Sequence, residues 1–371
     1  MIKNNIPVLS GIYKIIAVII IMVFVISGII VKSKPALATP FPSPSPSPSP
    51  SPSVNYSSQI QNYSFTYANS VPLVNDMVSN GWNAVYAREG LSGSSLSYKD
   101  VPKDPHIWFT PGYGNAQFQA SGNLNGLDAS DASFMLGADL TSGPFTAGIA
   151  AGHISAWGIM NGQGSGSIET GLWQLGAYGF WHASGARIGF QAGYSGGLMS
   201  SADNVSGGDM NGSSRASAYT AAVRGGYTFK TQVVNITPIL GVSYVHTAIS
   251  GFTEYGQGQL SNYSMNVGRQ ERDDLHARFV VRASDRNAWI SLGVRRNIWY
   301  PGAYAEEQFI ETPGESFDTY GIQANPTMGI FGTGLKTDIS RHVTLQVSYR
   351  RQFGHDVIMN SFWGNMTVRW R

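Results

Sequence analysis

The sequence predicts an all-β protein: a transmembrane barrel of twelve antiparallel strands, preceded by one helix. Three observations carry that expectation. From Pro105 onward apolar and polar residues alternate with period two, over segments of roughly 10–16 residues that suit a tilted membrane crossing. The connections between these segments alternate between short and long, which places the tight turns at one end of an antiparallel meander. Charged residues make up only 12 % of the chain, against about 25 % in ordinary domains. With 44 Gly, 17 Phe, 18 Tyr and 9 Trp, this is not the composition of a cytosolic enzyme. The C-terminal part has no apolar run of about 20 residues, which excludes a helical membrane bundle there.

In chain order, residues 1–38 form an export leader. Lys3 and Lys14 precede an apolar run from Ile15 to Val31, and Ala36-Leu37-Ala38 is a small-residue cleavage site. Lys32 and Lys34 would instead suit an uncleaved anchor; cleavage after Ala38 is favoured, and on either reading the chain leaves the cytoplasm. Residues 39–53 are a Pro-Ser spacer, "TPFPSPSPSPSPSPS". Proline at every second position removes backbone donors and fixes φ, so an extended polyproline-II conformation is expected.

Residues 54–104 form a linker that holds a helix over 71–89. Ser70 can cap it, Pro72 suits its first turn, and Gly90 or Gly93 would end it. Its apolar positions include Val74, Met77, Val78, Trp82 and Val85. At ~1.5 Å per residue it is about 28 Å long, close to the hydrocarbon thickness of a membrane, yet too polar for lipid. A small surface helix is the plainer reading of the residues alone.

Residues 105–371 are the barrel domain. The twelve strands are expected at 107–119, 133–140, 145–158, 169–182, 186–199, 214–229, 233–249, 273–284, 287–300, 326–339, 342–353 and 360–371. In "ARIGFQAGY", Ile188, Phe190, Ala192 and Tyr194 share one face, and Arg187, Gly189, Gln191 and Gly193 the other. In "FWGNMTVRWR", Phe362, Met366, Val368 and Trp370 oppose Asn365, Thr367 and Arg369. A membrane barrel turns the apolar face outward and the Gly/Ser/Gln/Arg face into its lumen. Trp289, Trp299, Tyr300, Tyr227, Phe229, Phe353 and Trp370 lie near strand ends and would form the aromatic girdles.

The blocks "SFMLGADLTSGPFTAGIAAGHISA" (133–156), "LWQLGAYGFWHASGARIGFQAGYS" (172–195) and "LGVSYVHTAISGFTE" (240–254), with the final strand, resemble the autotransporter translocator domain in order and spacing. The resemblance covers about 105–371. It implies a 12-stranded outer-membrane barrel whose N-terminal helix threads the lumen and tethers an exported passenger. The helix with Val74, Met77, Val78, Trp82 and Val85 stands where that pore helix would. The family ends on an aromatic read by the barrel-assembly machinery. Here Trp370 takes that place, with Phe362, Met366 and Val368, although Arg371 follows. Only residues 39–70 separate the leader from the helix, so the expected product tethers or exports a very short segment, its passenger lost or acting in trans. The implied partners are outer-membrane lipid, the barrel-assembly machinery and periplasmic chaperones; a monomer is expected, and no nucleic acid, cofactor or metal.

Residues with other chemistry point elsewhere only weakly. "GYSGG" (193–197) matches a nucleophile elbow but lies in a strand rather than a strand-to-helix turn. The seven His make no zinc spacing, and Cys is absent. His246 with Ser243, or His355 with Asp356, would be needed for a rim-sited hydrolase. A small channel or porin is the nearer alternative, and a non-enzymatic translocator the expectation. Arg187, Arg224, Arg278, Arg282, Arg295, Arg350 and Arg369 all fall on the polar face by parity. Either they balance Asp139, Glu254 and lumen water, or they form a basic lining that grips the helix's C-terminal dipole and carboxylates or favours anions.

Overall fold

The computed structural model describes residues 66–88, 105–119, 126–161, 165–205, 208–257, 264–300, 302–310, 316–322 and 326–369. The leader, the Pro-Ser spacer and Trp370 lie outside the described residues. A helix, α1 (Ser70–Arg88), precedes the strands. These are β1 (His106–Phe118), β2 (Gly126–Ser142), β3 (Phe145–Asn161), β4 (Ser165–Ala183), β5 (Ala186–Val205), β6 (Gly208–Tyr227), β7 (Phe229–Lys230), β8 (Asn235–Ile249), β9 (Phe252–Gly256), β10 (Met265–Val267), β11 (Gln270–Ser284), β12 (Ala288–Trp299), β13 (Tyr304–Phe309), β14 (Ser316–Tyr320), β15 (Thr327–Asp338), β16 (Val343–Phe353) and β17 (Val357–Arg369).

Twelve of them, β1–β6, β8, β11, β12 and β15–β17, form a closed antiparallel wall. Closure is made by β1 and β17, paired from His106↔Arg369 to Phe118↔Val357. A closed sheet leaves no unpaired edge, which is what the absence of water in a bilayer demands. The turns are tight at the end where β1 begins and β17 stops. Ser184 and Gly185, with φ of 43° and 95°, join β4 to β5 as a two-residue turn of the kind that matches strand twist.

The opposite end is taller than the sequence suggests. The expected strands 133–140, 186–199 and 214–229 are extended to β2, β5 and β6, and β5–β6 pairing continues to Val205↔Gly208. Expected loops at 250–272 and 301–325 hold β9, β10, β13 and β14, which pair side by side above the wall. The reason is physical. Stretches such as Ser200–Asn204 and Asn211–Ser214 lose apolar alternation where the wall leaves lipid, but their backbone groups go on pairing.

The faces divide as the parity argument requires. Leu140, Ile149, Leu175, Leu198 and Leu240 point outward and are 62–68 % exposed, whereas Arg187, Gln191 and Ser195 are buried inside. An apolar band of that extent is a lipid-facing surface. An aromatic girdle runs around it through Phe134, His153 and Trp173, then Tyr194, Tyr219 and His246, with ring centroids 4.8–6.3 Å apart between neighbours. One expected girdle residue is elsewhere. Trp289 shares the parity of Ser291 and Arg295 and faces the lumen, where the Arg282 guanidinium lies 3.7 Å from its ring centroid.

Candidate functional site: the plugged lumen

Helix α1 occupies the barrel interior and packs on β1–β4, β6, β8, β11 and β17. It begins at Ser70, one residue before the expected start. Ser70 does not cap it from outside; its Oγ donates to the Thr66 carbonyl, while Asn69 Oδ1 accepts the Ile322 N–H at 2.6 Å. That ties the helix N-terminus to the long-loop end. Tyr86, near the other terminus, donates to the Ala222 carbonyl at 3.0 Å.

One side of α1 is apolar. Val74, Val78, Trp82 and Val85 are at most 1 % exposed and Met77 is 2 % exposed, so each of these expected pore-helix residues is buried against the wall. Trp82 enters a slot made by Gly176 and Gly193, cross-strand partners on β4 and β5; a Cβ on either would overlap the indole. The other side is a polar stripe at helical spacing. Asn75 donates to Asp274, Asn80 to Asp131 at 2.9 Å, and Asn83 accepts from Arg224 at 2.7 Å and Arg278 at 3.5 Å. Asp76 lies 4.0 Å from Arg295.

Of the seven expected lumen arginines, Arg224, Arg278 and Arg295 therefore reach the helix. The described contacts of the others are with the wall: Arg282 on Trp289, Arg350 on Trp363 at 4.9 Å, and Arg369 donating to Thr344 at 3.3 Å. Arg187 is buried near the tight-turn end of β5. The two acids expected to balance them are both buried. Asp139 accepts the Tyr178 hydroxyl at 2.6 Å and lies 3.0 Å from His106 Nδ1. Glu254 lies in β9 beside Glu307, far up the wall. Parity fixes the face a residue takes, not its height along the wall.

Several contributors were not singled out from sequence. Arg272 pairs with Asp274 at 2.8 Å, and Asp131 and Asp274 hold the helix asparagines. Extending the alternation of β11 back past Asp273 would have found Arg272. Asp203, which accepts from Thr66 Oγ1 and the Tyr67 hydroxyl at 2.9 and 3.0 Å, needed the tertiary structure.

Above the membrane band, two carboxyls are perturbed. Burial pushes Asp203 up to about 7. Burial, then the Glu307 carboxylate, pushes Glu254 up to about 8. Both surround the N-terminal, positive end of the helix dipole, while Arg224 and Arg278 stand toward its negative end.

Of the hydrolase alternatives, the exposed His355–Asp356 pair forms, its imidazole Nδ1 2.5 Å from the carboxylate, whereas the two serine arrangements do not come together. Ser195 is fully buried in strand β5 and bonded by Gln174, and Ser243 faces inward whereas His246 faces outward.

A model of the autotransporter β-domain matches residues 107–350, well over half of the chain. The chain belongs to the autotransporter β-domain family. Among solved structures, the translocator domain of the autotransporter NalP from Neisseria meningitidis superposes with a TM-score of 0.63 at 14 % identity, covering 82 % of this chain and 99 % of that one. The transport unit of AIDA-I from Escherichia coli gives 0.47 at 14 %, covering 80 % and 99 %. The β-domain of the Bordetella autotransporter Brka gives 0.47 at 13 %, covering 71 % and 99 %. No curated protein matches by sequence. The protein is thus an autotransporter-like translocator barrel of the bacterial outer membrane, in a family whose barrels are not enzymatic.

Proposed function

We propose that this autotransporter barrel tethers the segment N-terminal to α1 on the outer face of the membrane, and that α1 seals the pore once that segment has passed. The observation that carries the reading is the path of α1. It crosses the lumen once, from Asn69 at the long-loop end to Tyr86 beside β6, and the chain then re-enters the wall at His106, at the tight-turn end. On this reading residues 1–38 are removed, residues 39–53 are a displayed spacer, and Val74, Met77, Val78, Trp82 and Val85 are the seal. Phe362 and Met366, outward and 49 % and 41 % exposed, would with Val368 and Trp370 form the segment read by the barrel-assembly machinery, after escort by periplasmic chaperones.

The test is single-channel conductance. Deleting residues 66–88 should leave a heat-modifiable barrel and raise conductance at least several-fold. Equal conductance of the deleted and full-length proteins would rule out the seal.

A further inference from the structure

The helix does not fill the lumen evenly. Strands β12, β15 and β16 stand back from it, and between them and α1 lies a cavity of about 80 Å³, room for several waters. Four guanidinium groups line it: Arg224 from β6, Arg278 and Arg282 from β11, and Arg350 from β16. Among the described residues no carboxylate lines it. Its polar lining is otherwise neutral, including Ser291, Ser348 and Gln352.

Three of these groups are held by aromatic faces. Arg224 lies 3.6 Å from the Tyr86 ring centroid, Arg282 3.7 Å from that of Trp289, and Arg350 4.9 Å from that of Trp363. Stacking fixes the plane of a guanidinium and leaves its N–H edge to bond elsewhere. Buried donors remain on these lining side chains. Arg224 Nε, Arg278 Nε, Trp289 Nε1 and Trp363 Nε1 have no protein acceptor among the described residues. Concentrated buried charge of one sign is costly unless an opposite charge sits with it, and buried N–H donors without acceptors add to that cost.

We propose that this cavity is a binding site for a small tetrahedral oxyanion of the phosphate or sulfate class. The fork of an arginine matches two oxygens of such an ion, and four arginines around one ion supply the charge and donors it needs. Because Arg224 and Arg278 also hold Asn83 of α1, the bound anion would link the helix to β11 and β16 and reinforce the seal.

The experiment uses the folded full-length protein in detergent, titrated with inorganic phosphate by calorimetry and by ³¹P line width, with ionic strength held constant by sodium chloride. Saturable binding is expected, together with a higher temperature of barrel unfolding. The double variant Arg282→Gln/Arg350→Gln should weaken binding at least tenfold, and Arg369→Gln, at the barrel rim, should leave it unchanged. Ser348→Asp covers the case in which the double variant does not fold. It places a carboxylate in the cavity, so it should abolish phosphate binding while raising the unfolding temperature. Absence of saturable binding, an equal effect of chloride, or undiminished binding by Ser348→Asp would each overturn the proposal.

Discussion

Trp82 shows how closely the seal depends on single atoms. Its indole is 1 % exposed and lies where Gly176 and Gly193 face each other across β4 and β5. A methyl group on Gly193 would overlap the indole itself, since the three atoms nearest to it all belong to the Trp82 ring. Gly193→Ala should therefore displace Trp82 and cost about 1–3 kcal/mol, the range for overpacking a filled core. Gly225→Ala on β6 is the control, because a Cβ there meets only the Arg187 carbonyl oxygen, at 3.7 Å. The expected outcome is a lower heat-modification midpoint and a leaky pore for the first variant only; matching behaviour would show that the slot does not matter. Trp82 itself was legible in the helical spacing of its neighbours. Its slot was not, because a glycine in a strand looks like any other small residue until the cross-strand register is known. Trp289 was misjudged for a related reason. Aromatic character suggests the lipid face, but parity with Ser291 and Arg295 wins, and Arg282 gives the ring a partner inside.

At the scale of elements, the membrane-spanning parts of the strands were readable because lipid on one side and a polar lumen on the other impose period two. The ribbon β9, β10, β13 and β14 was not readable, since neither of its faces meets lipid. That ribbon, with the top of β5, forms a cap around the N-terminal end of α1, where Tyr67, Ala68, Met210, Met265, Val267 and Ala305 pack together. Within it Glu254 faces Glu307, and Asp203 faces Thr66 and Tyr67. Asp203 lies five residues beyond Leu198, the last large apolar outward side chain of β5, or about 16 Å along the strand. Its folded pKa of about 7 and that of Glu254, about 8, both exceed their unfolded values. The folded cap thus binds more protons than the unfolded chain between pH about 4 and 8, and its stability falls as pH rises through that window. Hydrogen exchange of residues 66–70 and β9–β10 should be slower, after correction for intrinsic rates, at pH 5.5 than at pH 8.5. Glu254→Gln should flatten the dependence. Protection that rises with pH would contradict the assignment.

At the scale of the whole molecule, direction follows from parity of strand number. An even count of wall strands returns β17 to the end at which β1 began, so His106 and Arg369 are neighbours. One helix crossing the lumen must then carry its N-terminus to the other end, where Asn69 meets Ile322 and Thr66 meets Asp203. In a barrel whose tight turns face the periplasm, that direction predicts that everything before Thr66 would emerge outside. The Pro-Ser stretch from Pro40 to Ser53, extended at ~3.1 Å per residue, would project about 43 Å, enough to clear the raised ribbon. An uncleaved leader breaks this geometry, because Ile15 to Val31 would hold the N-terminus in the inner membrane. An epitope placed after Ser53 separates the two cases. Labelling of intact cells is the expected result, and labelling that appears only after the outer membrane is permeabilised would show that the segment never crosses.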